Sequence, residues 1–122
     1  MRSILFKAKK LSDGKWVKGS LVKTPFGTFI EWYEDSICNK REVDASTVCQ
    51  FTGLKDCKGN EIWEGDMLTF RYSKEVGEVV WREDLACFEI ADTRNKEKSN
   101  LLGYSLRNIA WYVICNKFDK EK

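Results

Sequence analysis

Along much of this chain apolar and polar residues alternate with a period of two, the signature of half-buried β-strands. In residues 4–9, Ile4, Phe6 and Ala8 fall on one side and Leu5, Lys7 and Lys9 on the other. Ser12, Asp13 and Gly14 supply a turn, and Lys15, Trp16 and Val17 resume an extended run, which predicts an N-terminal hairpin. Gly19 interrupts before residues 20–23, and Pro25 with Gly27 punctuates the path into TFIEWY at 28–33, a β-branched and aromatic run that predicts a strand.

Residues 34–40 are polar and are expected to form a loop. Asp44 is placed to cap a short helical turn through Ser46 and Thr47, because its carboxylate can accept from exposed backbone N–H groups. Val48 and Phe51 return to the core. Between 52 and 66 the glycines at 53, 59 and 65 mark reversals of hairpin type around an Ile62-Trp63 pair. Three short extended runs follow, at 67–72, 77–82 and 87–91, joined by connections too short for crossover helices and so predicting an antiparallel meander. A polar excursion at 92–100, with alternating charges, is the expected mobile or functional loop. A single helical turn at 105–110 and a closing strand at 111–118 complete the pattern.

The expected fold is therefore mainly β. Antiparallel strands form a small barrel of SH3-like or OB-like type plus an N-terminal hairpin lobe, with few short helical turns. At 122 residues the chain has the length of one domain that removes roughly two thirds of its extended surface from water. Within a single domain over 1–122, sub-lobes are expected at 1–43 (N-terminal β lobe) and 44–122 (core barrel). A hydrophobic fraction of 43%, with five Trp, seven Phe and four Tyr, supplies a core of large rings and excludes intrinsic disorder.

The opening MRSILFKAKK lacks the apolar run of a signal peptide, and no window approaches the 18 or so apolar residues of a membrane span. The expectation is a cytoplasmic protein with no membrane partner. Five Cys with wide spacing and no His read as free thiols used as small apolar residues and offer no pattern for a structural metal. Net charge is only +2, but it is unevenly spread: about +6 over residues 1–30, −5 over 31–70 and +1 over the rest. A basic start and an acidic middle complement one another within the fold or between subunits, or else belong to solvated strand faces.

Candidate chemistry is sparse. With no His, an ordinary nucleophile triad cannot be assembled. None of the glycines falls in a phosphate-loop or dinucleotide pattern. Paired carboxylates occur at Glu64/Asp66, Glu83/Asp84 and Glu34/Asp35; the Glu64-Gly65-Asp66 group sits in a turn, where Asp accepts from neighbouring N–H groups and sets the geometry. No catalytic, cofactor or metal residues are therefore assigned. The candidate binding surface comprises Lys7, Lys9 and Lys10 on the first hairpin with Trp63, Arg71, Tyr72, Trp81 and Arg82 among the later strands.

The central block Val48-Cys49-Gln50-Phe51-Thr52-Gly53-Leu54-Lys55-Asp56, followed by Gly59, Ile62, Glu64-Gly65-Asp66 and Val79-Val80-Trp81, resembles the signature of the YopX family of phage and prophage proteins. Ile4-Leu5-Phe6-Lys7-Ala8 with Gly14 to Gly19 resembles that family's N-terminal hairpin, and Val113-Ile114, Asn116 and Phe118-Asp119 its C-terminal strand. Cys115 stands where the family often has glycine, and Lys58 where it commonly has Asn. The resemblance implies phage or prophage origin, residence in the bacterial cytoplasm and no catalytic residue to carry across. Two functions are expected from these readings. One is a non-enzymatic interaction module that forms a homo-oligomer and binds a host or phage protein. The alternative is a nucleic-acid-binding module using the basic hairpin and nearby rings.

Overall fold

The computed structural model describes residues 4–71, 75–93 and 99–119. The chain forms two compact units, Met1–Phe51 and Thr52–Lys122, each with its own apolar cluster. Among the described residues the secondary structure is antiparallel strand, one α-helix and one 3-10 turn. No helix in those residues is long and apolar enough to cross a membrane.

The first unit is built on β1 (Phe6–Lys9), β2 (Trp16–Thr24), β3 (Gly27–Glu34), β4 (Ile37–Glu42) and the start of β5 (Cys49–Lys55). Their order across the sheet is β4-β3-β2-β1-β5. The alternation at the N-terminus is realised: Ala8 is buried with Ile30 and Val43, and Phe6, Val17, Leu21, Trp32 and Val48 pack against them. Lys7 and Lys9 take the opposite face, opposite Lys18 and Trp16 of β2. Gly19 does not break β2. A Cβ there would collide with the Glu31 carbonyl oxygen, so its role is to let β2 and β3 approach closely.

Residues 34–40 are not a loop. Asp35 and Ser36 both adopt positive φ, 53° and 67°, and this two-residue reversal returns the chain directly into β4, with Glu34 opposite Ile37. Asp44 caps the turn Ala45–Thr47 as expected, its carboxylate accepting from the Ser46 N–H at 3.0 Å.

In the second unit the end of β5 runs beside β6 (Glu61–Trp63), and β7 (Asp66–Phe70), β8 (Gly77–Arg82) and β9 (Cys87–Asp92) form the expected meander. To these are added β10 (Ser99–Leu101), the helix α1 (Leu102–Asn108) and β11 (Trp111–Asn116). The fold is mainly β and antiparallel, as expected; strand order is β10-β9-β8-β7-β11, and among the described residues no pair closes it into an SH3-like or OB-like barrel. Helix α1 lies against β9 and β10, and β11 follows it at the far edge, beside β7.

One face of this sheet carries the core: Leu68, Val79, Ile90 and Trp111, joined by Ile62 from β6 and Leu102 from α1. The expected single helical turn at 105–110 is thus a two-turn helix beginning at Leu102, whose burial anchors it. The ends of the 92–100 excursion belong to β9 and β10, which pair through Ser99 and Ala91, and its middle, 94–98, lies outside the described residues. All five cysteines are free thiols; Cys49 is buried, but Cys38, Cys57 and Cys115 are exposed, so only the first is a core residue.

Candidate interaction surface

The carboxylates of the central block hold turns together. Asp56, only 7% exposed, opens the β5–β6 reversal. Its Oδ1 accepts from the Lys58 and Asn60 N–H groups at 2.9 and 2.8 Å, and its Oδ2 from the Asn60 side chain and from the Val113 N–H of β11 at 2.9 Å. Burial works to raise its pKa, but these donors outweigh it and hold the carboxyl below the ordinary Asp value.

Asp66 is 2% exposed and completes the Glu64-Gly65-Asp66 turn. Its Oδ2 accepts from the Trp63 N–H at 2.7 Å and its Oδ1 from Asn116 Nδ2 at 2.9 Å, while Asn116 Nδ2 also reaches the Glu64 carbonyl. Gly65, at φ 87°, donates its N–H to the Val79 carbonyl and accepts at its own carbonyl from Lys117. The turn is thereby stapled to β8 and to the end of β11. The Asp66 carboxylate thus accepts from one backbone donor and one side-chain amide inside the fold.

The candidate surface residues divide sharply. Trp63 is 4% exposed and anchors the interior, so it is withdrawn from the surface; a large ring at a strand position next to Ile62 is covered by its own layer. Tyr72 lies outside the described residues. Lys7 and Lys9 place their ammonium groups 4.5 and 5.5 Å from the Trp16 ring centre, a basic strip on the outer face of β1 and β2. Lys10 turns instead to Asp13, 3.2 Å away. Arg71 is exposed and lines an open cleft of about 480 Å³ with Cys57, Lys58, Ala110 and Tyr112, where Lys58 Nζ stands 4.1 Å from the Tyr112 ring centre.

Trp81 and Arg82 sit together at the end of the β8–β9 hairpin and are differently employed. Arg82 grips Asp84 through Nε and Nη2, at 3.0 and 2.8 Å, and reaches Glu89 through Nη1 at 2.9 Å. Glu89 is buried and also accepts from the Ser99 hydroxyl at 2.8 Å. The two carboxylates push the Arg82 pKa further up, and the guanidinium lowers that of Asp84. Arg82 is thus a brace for the turn at 83–86.

Trp81 is 38% exposed, paired across the strands with Phe88 in an edge-to-face contact at 4.9 Å. Leu85 projects from the turn, and Ala86 accepts positive φ to close it. The braced hairpin thus ends in two exposed apolar side chains, Trp81 against Phe88 and Leu85 in the turn. The sequence signal for Leu85 is a large apolar residue in an otherwise polar reversal, between Asp84 and Ala86.

Among the described residues no cluster of three or more His, Cys, Asp or Glu could hold a metal ion. The sequence model of the family described as YopX protein matches residues 5–120, nearly the whole chain. No curated protein matches this sequence.

Proposed function

From the chain's membership of the YopX family, which takes in both compact units, we propose that this is a phage- or prophage-derived, non-enzymatic interaction module of the bacterial cytoplasm, self-associating and binding a protein partner. The observation that carries this reading is the braced tip of the β8–β9 hairpin. Binding energy at protein interfaces concentrates in a few large anchors, Trp foremost, and an anchor already held in place loses little entropy on docking. Trp81 fits that description: Phe88 fixes its ring and the Arg82–Asp84–Glu89 contacts stiffen the turn beside it.

Static light scattering at two salt concentrations, on the natural chain and on Trp81→Ala, tests the assembly. The expected result is a concentration-dependent mass above the monomer whose association constant falls at least tenfold on Trp81→Ala, with the β-rich circular-dichroism spectrum retained. A monomer at every concentration and ionic strength removes self-association. Affinity capture from host lysate after nuclease treatment tests the partner, which should be lost with Trp81→Ala and retained with Lys7→Ala.

A second reading, nucleic-acid binding, is favoured by the strip in which Lys7 and Lys9 gather on Trp16 with Lys18 opposite Lys7. It requires a mobility shift with DNA or RNA at about 50 mM salt that weakens as salt rises, because phosphate contacts release counterions. No shift under those conditions dismisses it.

A further inference from the structure

The sheet of the first unit leaves one of its edges bare. β4 stands at the end of that sheet, paired with β3, and every residue of it but Asn39 is exposed. Successive residues of an antiparallel strand turn their backbone groups alternately towards one side and the other. Val43 donates its N–H inward to the Thr28 carbonyl at 2.9 Å, whereas the Glu42 carbonyl accepts from the Leu11 N–H, so the even-numbered residues of β4 face outward. Leu11 thereby covers the edge at Glu42, and the Arg41 guanidinium covers the Lys40 carbonyl at 2.9 Å. Among the described residues nothing covers the Cys38 N–H and C=O or the Lys40 N–H. The edge strand β11 of the other sheet is treated differently: Cys57 donates to the Trp111 carbonyl and Asp56 accepts from Val113, so the β5–β6 reversal caps it.

Charge selects what the bare edge accepts. Glu34 and Asp35 stand at the turn that opens β4, and Lys40 and Arg41 towards its other end. All four are exposed, and among the described residues none is in an ion pair. A strand that is acidic at one end and basic at the other is complementary to itself when turned antiparallel.

We infer that β4 pairs antiparallel with β4 of a second copy, about a two-fold axis through Asn39. Cys38 and Lys40 of each copy then exchange backbone hydrogen bonds with Lys40 and Cys38 of the other, and no like charges stand opposite one another. Centring on Lys40 would set that lysine against itself, and centring on Cys38 would set Glu34 against Glu42. The β3–β4 register extends the match by one strand, because Glu34 lies beside Ile37 and Tyr33 beside Cys38. Two strand spacings are about 9.5 Å. Arg41 therefore reaches across the other copy's Ile37, 64% exposed in the single chain, towards Glu34. Lys40 reaches across the small Cys38 towards the exposed Tyr33 ring. This contact goes beyond the self-association proposed above: it is a second surface, and it does not use Trp81.

Disulfide trapping in the full chain tests it. Residues facing each other on the axis form a non-hydrogen-bonded pair with Cα atoms about 4.5 Å apart, within disulfide range. Two copies of residue 41 lie four positions apart along the strand, about 13 Å, and are out of range. In a Cys38→Ser background, Asn39→Cys should yield at least ten times more linked dimer in glutathione buffer than Arg41→Cys, with the 39–39 bond identified by mass spectrometry. The remaining cysteines are common to both variants and set the same background. Linking should persist when Trp81→Ala is added, which keeps the outcome distinct from that of the hairpin tip. No 39–39 bond, or equal yields from the two positions, overturns the inference. In the natural chain the Cys38 and Lys40 amide hydrogens should exchange more slowly as protein concentration rises, and exchange that is the same at every concentration overturns it without recourse to any variant.

Discussion

A buried carboxylate that accepts from N–H groups within its own turn is a structural device, and Asp66 makes the point at the scale of a single residue. It accepts from Trp63 N and from Asn116 Nδ2. Replacing it by Asn turns one of its two acceptors into a donor facing another donor, so Asp66→Asn is expected to lower stability by about 1–3 kcal/mol, measured as an earlier urea midpoint at unchanged slope. Asp56 contributes through pH. Its folded pKa lies below the ordinary value despite burial, so the stability it adds is present above pH ~4 and lost as pH falls through the folded pKa. Acid titration of the natural chain and of Asp56→Asn should show a steeper loss below pH ~4 in the former. The roles of these residues as turn formers, and of Asp44 as a cap, are readable from residue type and position. Their distant partners, Val113 and Asn116, are not, since nothing local couples position 56 to 113 or 66 to 116.

At the scale of elements, period-two alternation locates the strands well, because each has one face against a core. It fails where the signal is local geometry without its usual residue. The β3–β4 reversal uses Asp35 and Ser36 at positive φ, positions where glycine is the customary marker, and so 34–40 read as loop. Ser36→Gly removes a steric cost at φ 67° and is expected to stabilise the first unit by about 1 kcal/mol, read as a higher melting temperature. Helix α1 is longer than the pattern predicts for a related reason. Seven residues containing Gly103 show little periodicity, and the helix persists because Leu102 and Ser105 are buried against the sheet.

For the whole molecule, the antiparallel class follows from short strands and short connections, but a barrel does not, because closure depends on which strand occupies each edge and that is a long-range choice. The candidate surface is legible in part: Trp81 and Arg82 do lie together, and Trp63 belongs to the core.

The place of β11 beside β7 also governs how the second unit comes into being on the ribosome. Leu68 waits for Val113, and Phe70 for Trp111, so the meander of β7 to β9 emerges with an unfinished edge that only the last strand can occupy. A nascent chain arrested after Asn108 should therefore remain protease-sensitive throughout the second unit, whereas release of residues up to 119 should confer resistance in a single step. Pulse proteolysis of stalled chains of the two lengths would display that switch.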